Sequence, residues 1–283
     1  MRVNELLRRE KEMGRTDLVS IMAFVLHTTP ERIYTDSCRE LTAATLERID
    51  QHIAERKKGR PLAYITQKRE FFSEEFFVDE RVLVPRPETE LLVEEALRVI
   101  AQRRSHESGQ KSTLRILDMG TGSGAIGITL ARHGAETVTC VDLSFDALLV
   151  ARYNATRIGV SDRIAFARSD LFAGIKKGAR FDIIAANLPY VAASDWEELM
   201  VDVKYEPKDA LLGGPLGTEV YERFVAGLPG RLDEDGFVLC ELGGRTQIEA
   251  VGDLMKRCGL QVYSKKDLAG QDRILIGSWK NSS

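Results

Sequence analysis

The stretch Leu114-Arg-Ile-Leu-Asp118-Met-Gly120-Thr-Gly122-Ser-Gly124-Ala-Ile-Gly127 constrains the fold more than any other part of the 283-residue chain. Leu114, Ile116 and Leu117 form a short apolar run suited to a buried parallel strand. The glycines that follow let the backbone turn tightly and approach a ligand with no Cβ atoms in the way. A helix is predicted over Ala125 to Arg132. Strand, glycine-rich turn and helix make the first half of a Rossmann-like unit, with backbone N–H groups presented at the helix start.

Strand and helix patterns alternate from there to the C-terminus, which argues for a parallel sheet covered on both faces. The strands read as Arg115 to Met119, Thr137 to Asp142, Ile164 to Ser169, Phe181 to Ala186, Phe237 to Leu242, Gln261 to Ser264 and Arg273 to Trp279. Helices are predicted over Phe145 to Ile158, Glu219 to Leu228 and Thr246 to Cys258. The gap 265–272 is too short for a crossover helix, so the seventh strand should run antiparallel.

Upstream, apolar residues recur at helical spacing from Val3 to about Gly59: Leu6 and Leu7, then Leu18, Val19, Met22, Ala23 and Leu26, then Leu46, Ile49 and Ile53. Residues 1–68 are therefore expected to form a small helical domain. Residues 69–88 follow as a hairpin and linker, from the aromatic Glu70-Phe-Phe and Glu75-Phe-Phe segments to the stiff Pro85-Arg-Pro87. A helix is predicted from Thr89 to about Ala101, then a polar loop over 102–113. Residues 89–283 form the ligand-binding domain of this scheme.

The glycine-rich loop admits two ligands. Gly122, Gly124 and Gly127 fit the dinucleotide pattern GxGxxG, with Asp142 near the distance at which an acid binds a ribose hydroxyl, as in a nicotinamide-dependent dehydrogenase. In another frame, Asp118-x-Gly120-x-Gly122-x-Gly124 resembles the first motif of class I S-adenosylmethionine-dependent methyltransferases. Either ligand carries an adenosine whose ribose Asp142 would hold. The spacing of strands resembles the methyltransferase sheet more than a six-stranded dinucleotide domain.

Several classes are set aside by composition. No apolar run approaches the ~20 residues of a membrane span, and the charged N-terminus lacks a signal-peptide core, so a cytoplasmic location is expected. A formal net charge of −3 argues against direct nucleic-acid binding. Cys38, Cys140, Cys240 and Cys258 are scattered and read as buried reduced thiols; His27, His52, His106 and His133 show no ligand spacing, so no metal is expected.

Chemistry concentrates where strands end. Asp142 ends the second strand, Asp170-Leu171 follows the third, and Asn187-Leu188-Pro189-Tyr190 follows the fourth. The last offers a side-chain amide, a backbone carbonyl aimed by a fixed proline, and a flat phenol. Those parts suit methyl transfer to a planar nitrogen. An amide nitrogen is a poor nucleophile because its lone pair is delocalised; two acceptors on its N–H bonds can orient it toward an electrophilic methyl group. Asn187 and the Leu188 carbonyl would be those acceptors, and Tyr190 would pack on the substrate plane.

The tetrad resembles the (N/D)PPY motif of N-methyltransferases, and nearly the whole chain is similar to the glutamine N5-methyltransferases that modify peptide chain release factors. The similarity rests on Arg60-Pro-Leu-Ala-Tyr-Ile65, Val84-Pro-Arg-Pro-Glu-Thr-Glu90, Asp118 to Gly127, Ser169-Asp-Leu-Phe172, Asn187 to Tyr190, Tyr205-Glu-Pro207, Ala210-Leu-Leu-Gly-Gly214, Glu241-Leu-Gly243 and Asp267-Leu-Ala-Gly270 with Asp272-Arg273. It implies an α/β fold: a Rossmann-like seven-stranded class I methyltransferase sheet, last strand antiparallel, with a small N-terminal helical domain that recognises the substrate. It implies S-adenosyl-L-methionine as cofactor, with Asp118, Gly120, Thr121, Gly122, Ser123, Gly124, Asp142, Asp170, Leu171 and Asn187 around it. Catalysis would fall to Asn187, Pro189 and Tyr190, with Leu188 completing the substrate site. The acceptor would be the glutamine of the Gly-Gly-Gln motif of bacterial class I release factors.

At position 188 this chain has Leu where the family usually has Pro. If the contact is made by the carbonyl, the side chain is free to change, and Pro189 still restricts Leu188 to an extended conformation. Asn-Leu-Pro-Tyr also resembles the tetrad of ribosomal RNA adenine dimethyltransferases, which makes an N6-adenine RNA or DNA methyltransferase the alternative enzyme reading. A release-factor-binding protein without catalysis is the alternative from outside enzymology. Glu206 and Glu241 are expected to act structurally or beside the cofactor rather than in proton transfer.

Overall fold

A computed structural model describes residues 1–11, 13–106 and 113–279. The chain divides into two compact units, Met1–Lys68 with Met200–Tyr205, and Arg69–Leu199 with Glu206–Ser283.

The first unit holds α1 (Val3–Arg9), α2 (Arg15–Val25), α3 (Pro30–Thr35), α4 (Ala43–Lys57) and α5 (Leu62–Thr66). Its core is the apolar face foreseen from the helical spacing, with Leu6, Leu18, Met22, Ile49 and Ile53 all buried. Thr42 caps α4, its hydroxyl accepting from Thr45 N at 3.2 Å. The segment Met200–Tyr205 returns to this unit, where the Tyr205 hydroxyl donates to the Lys58 carbonyl at 3.2 Å.

The second unit opens with a hairpin of β1 (Arg69–Phe71) and β2 (Glu74–Phe76), whose Phe71 and Phe76 are buried edge to face. Helix α6 spans Thr89–His106, five residues longer than predicted; the remainder of the expected loop, 107–112, lies outside the described residues. Then come β3 (Arg115–Met119), α7 (Ala125–Arg132), β4 (Thr137–Asp142), α8 (Phe145–Ile158), β5 (Ile164–Arg168), β6 (Phe181–Ala186), β7 (Val191–Ala192), β8 (Leu212–Gly214), α9 (Glu219–Gly227), β9 (Leu232–Glu241), α10 (Arg245–Arg257), β10 (Leu260–Lys266) and β11 (Asp272–Trp279).

The large sheet has the order β10-β11-β9-β6-β3-β4-β5. Strands β9, β6, β3, β4 and β5 are parallel, and β11 inserts antiparallel between β9 and β10, as the short 265–272 connection requires. Side chains alternate across the sheet with period two. Ile116, Ile183 and Ala185 face α6 and α7, while Leu117, Met119, Ile184 and Ala186 face α9 and α10. Both faces are covered, and all six residues of β6 are buried, Asp182 among them.

Besides the longer α6, strands β9, β7 and β8 depart from expectation. Strand β9 begins at Leu232, five residues early, through the polar Asp233-Glu-Asp-Gly236 that disguised it; the pairing with β6 slips between Phe181 and Ile183, a bulge that absorbs this irregular start. The short parallel pair β7 and β8 was not foreseen, since strands of two and three residues carry no periodicity. Of the cysteines, Cys140 and Cys240 are buried, Cys258 is half-buried and Cys38 is exposed, so burial does not extend to all four.

Candidate active site

Strands β3, β4 and β6 are neighbours, so their C-terminal ends bring three of the singled-out segments together. The Gly122 N–H donates to Asp142 Oδ2 at 2.8 Å, tying the glycine loop to the end of β4. Asp142 Oδ1 accepts from Ser144 N at 2.9 Å. Burial pushes this carboxyl above its ordinary range, opposed by those N–H groups. On the other side, a Cβ on Gly120 would stand 2.9 Å from Leu188 Cδ2 and 3.5 Å from the Asn187 carbonyl oxygen. With φ at +76°, position 120 therefore demands glycine on conformational and steric grounds alike. Gly122, at φ +55°, has nothing within 4 Å of where its Cβ would be. The loop is thus tight on its protein side and open on the other, as a cradle for a ligand must be.

Asp118 builds that loop from beneath. It is fully buried, and its Oδ2 accepts from Thr121 Oγ1 at 2.5 Å and from Gly127 N at 2.9 Å. Burial pushes it up to about 6, and its Oδ1 has no hydrogen-bond partner among the described residues. The Ser123 carbonyl accepts from the buried Asn154 on α8, whose amide also exchanges two hydrogen bonds with Phe77 beyond the hairpin, at 2.8 and 2.9 Å.

The tetrad is held mostly by residues that sequence reasoning passed over. Tyr221 of α9, fully buried, accepts from Leu188 N at 3.0 Å and donates to the Glu241 carbonyl at 2.5 Å. Gln247 of α10 donates to the Tyr190 carbonyl at 2.6 Å and accepts from Gly243 N at 2.8 Å. Asn187 Nδ2 donates to Thr89 Oγ1, the first residue of α6, at 3.2 Å. The Glu241 side chain is 1% exposed and pushed up to about 7 by burial; Thr89, Arg273 and Asn187 favour its charged form, and Glu88 opposes it. Burial and then Glu241 push the Tyr190 phenol up to about 12, so it stays neutral. Glu206, also buried, takes Val84 N at 2.9 Å and the Arg86 guanidinium at 2.5 Å, fixing the turn that delivers Thr89.

The Asp170-Leu171 segment stands apart. Asp170 is exposed and paired with Arg223 of α9 at 2.5 Å, and Leu171 is half-buried in a left-handed conformation at φ +48°. Among the described residues no side-chain bond joins this segment to the Asp142–Gly122 contact, but its backbone begins there: the Ser169 N–H donates to the Asp142 carbonyl at 2.9 Å.

Residues 3–66 match the family described as PrmC N-terminal domain, and residues 97–204 the one described as Methyltransferase small domain. A release factor glutamine methyltransferase of Rhodopirellula baltica is 40% identical over 231 residues, 79% of this chain and 75% of that protein. Another, of Aquifex aeolicus, is 34% identical over 277 residues, 98% of this chain and 95% of that one. The chain belongs to the release factor glutamine methyltransferase family. The fold agrees: a methyltransferase from Pyrococcus furiosus, 18% identical, superposes over 81% of this chain and 96% of its own with a TM-score of 0.52.

Leu188 takes the tetrad position at which this chain departs from the family's usual Pro. Its side chain is 4% exposed and lies over Gly120, so it fills the seam between tetrad and glycine loop. Local sequence carried no signal for Tyr221 or Gln247, and Thr89 stood only within the 84–90 motif with no role of its own: each meets the tetrad from 33 to 98 residues away.

Proposed function

We propose that this chain transfers the methyl group of S-adenosyl-L-methionine to the side-chain amide nitrogen, N5, of the glutamine in the Gly-Gly-Gln motif of bacterial class I release factors. The observation that carries this reading is the seating of Asn187–Tyr190 at the end of β6 against Gly120, whose loop is bonded through Gly122 to Asp142. A planar-nitrogen clamp and an adenosine cradle thus share one site.

The cofactor, when bound, supplies an electrophilic methyl group on a sulfonium sulfur. Gly120, Thr121, Gly122, Ser123 and Gly124 take its methionine part, with Asp118 holding the loop, and Asp142 takes the ribose hydroxyls. The Asp170-Leu171 backbone borders the adenine. Asn187 Oδ1 and the Leu188 carbonyl accept the two N–H bonds of the substrate amide, and Tyr190 covers its plane. Pro189 keeps the Leu188 carbonyl pointing at the substrate. Orientation in place of acid–base catalysis explains why no strongly basic group is needed: one amide proton leaves to water after transfer.

The helical domain, 1–68, takes part in recognising the release factor, and 69–88 links it to the catalytic domain, 89–283. Among the described residues no helix is long and apolar enough to cross a membrane. As a modifier of release factors, the enzyme acts where translation takes place, in the cytoplasm.

Mass spectrometry of a class I release factor incubated with the protein and S-adenosylmethionine tests the reading. The Gly-Gly-Gln peptide should gain the mass of one methyl group. Asn187→Ala should abolish that gain while leaving cofactor affinity within about threefold, because the lost contact belongs to the transition state. An unmodified glutamine, or an Asn187→Ala variant as active as the parent, sinks it.

A further inference from the structure

A carboxamide clamps an N–H only when its oxygen faces the substrate, and the two ends of an Asn side chain are nearly the same size. What turns Asn187 the right way is therefore a question the structure must answer. Its Nδ2 lies 3.2 Å from Thr89 Oγ1. The Glu241 carboxylate is buried beside this pair: Thr89 and Asn187 both favour its charged form, and its Oε2 has no hydrogen-bond partner among the described residues. An ionised carboxylate only accepts. The Thr89 hydroxyl, with one proton to give, is drawn to give it to Glu241, and its oxygen then accepts from Asn187. Of this chain of donors the first link, Asn187 to Thr89, is a hydrogen bond in the structure; with Glu241 as its end acceptor, the Asn187 oxygen would be left on the opposite side.

The same glutamate reaches the second acceptor of the clamp through its backbone. Tyr221 joins the Glu241 carbonyl to the Leu188 N–H, one peptide unit from the Leu188 carbonyl. Thr89 is itself delivered by the Pro85–Pro87 turn, anchored by Arg86 and Glu206.

We infer that Thr89 and Glu241 are positioning residues that set the direction of this hydrogen-bond chain, and so hold the Asn187 oxygen toward the substrate amide. The inference rests on the proposed function above, in which Asn187 is the acceptor. Neither residue touches substrate or cofactor in this scheme. Their loss should appear in turnover and leave cofactor binding alone.

The test compares Thr89→Val, which keeps shape and loses the hydroxyl, with Thr89→Ser, which keeps the hydroxyl. At saturating release factor, Thr89→Val should lose roughly tenfold or more in kcat, the size expected when one clamp contact is misdirected. Thr89→Ser should stay within about threefold, and the Kd for S-adenosylmethionine should be unchanged in both. Glu241→Gln gives a second route should Thr89→Val fold poorly: an amide at 241 can donate as well as accept, so kcat should again fall with cofactor Kd unmoved. The double variant should be no slower than the slower single one, since both act through Asn187. Full kcat in Thr89→Val or in Glu241→Gln, an equal loss in Thr89→Ser, or losses that add in the double variant would each overturn the inference. A parent protein that leaves the factor unmethylated would instead overturn the functional reading on which it rests.

Discussion

At the scale of single residues, Glu241 ties function and stability to pH with opposite signs. Burial holds it up to about 7, and the groups facing it are Arg273 on β11, Glu88 before α6, and Thr89, Asn187 and Tyr190 at the tetrad. In the hydrogen-bond chain inferred above Glu241 is a charged acceptor, so turnover should fall as pH drops through about 7. Stability moves the other way. A carboxyl whose folded pKa lies above its unfolded value binds more protons in the folded state, so its contribution is full below the ordinary carboxyl range and is lost as pH rises through 7. The difference is worth up to about 3 kcal/mol for so buried a group. Glu241→Gln should therefore flatten the acid limb of the kcat profile and remove part of the decline in melting temperature between pH 5 and 8. A variant that keeps both slopes would show that another group titrates there. Asn187 was legible from the sequence because an amide before a proline and a phenol is unusual at the end of a strand. Thr89 and Glu241 stood in the sequence only inside the motifs that carry the resemblance, and the place of Thr89 comes from a hydrogen bond with Asn187 across 98 positions of chain.

At the scale of elements, α9 and α10 carry the tetrad although neither contributes a residue that would meet substrate. Tyr221 is the clearest case: one phenol accepts from Leu188 N and donates to the Glu241 carbonyl, with Phe224 packed edge to face beside it. Tyr221→Phe leaves a buried N–H and a buried carbonyl short of partners, which costs about 1–3 kcal/mol. Turnover should drop several-fold with it, as the Leu188 carbonyl loses its anchor. Tyr263→Phe is the matching control, since that residue is exposed and its hydroxyl, among the described residues, accepts from Arg98 alone; it should change the melting temperature little. Equal melting temperatures for the two variants would refute the role given to Tyr221. The elements themselves were largely readable. Strands β3, β4 and β6 and helices α7 and α8 have the bounds that their apolar runs and glycine signals imply. Where expectation failed, at the start of β9 and the far end of α6, polar sequence was held in regular structure by neighbours that periodicity cannot see.

At the scale of the whole molecule, alternating strands and helices made the α/β class readable, and a connection too short for a helix made β11 antiparallel. The return of Met200–Tyr205 to the helical unit could not be read, since its anchor, Tyr205 to Lys58, spans 147 positions. That two-unit construction bears on how a substrate is chosen. Two acceptors and a phenol fit any primary carboxamide, so the site that holds the glutamine cannot by itself tell a release factor from another protein. Selectivity must come from contacts remote from the reacting nitrogen, and remote binding energy shows up as a difference between whole and truncated substrates. A full release factor should then surpass a short peptide carrying Gly-Gly-Gln by at least about 100-fold in kcat/KM, with KM taking much of the change. Steady-state kinetics with both acceptors decides the matter. A peptide methylated as efficiently as the intact factor would mean that the small site recognises its target unaided, and would leave the helical domain without the part in recognition proposed for it.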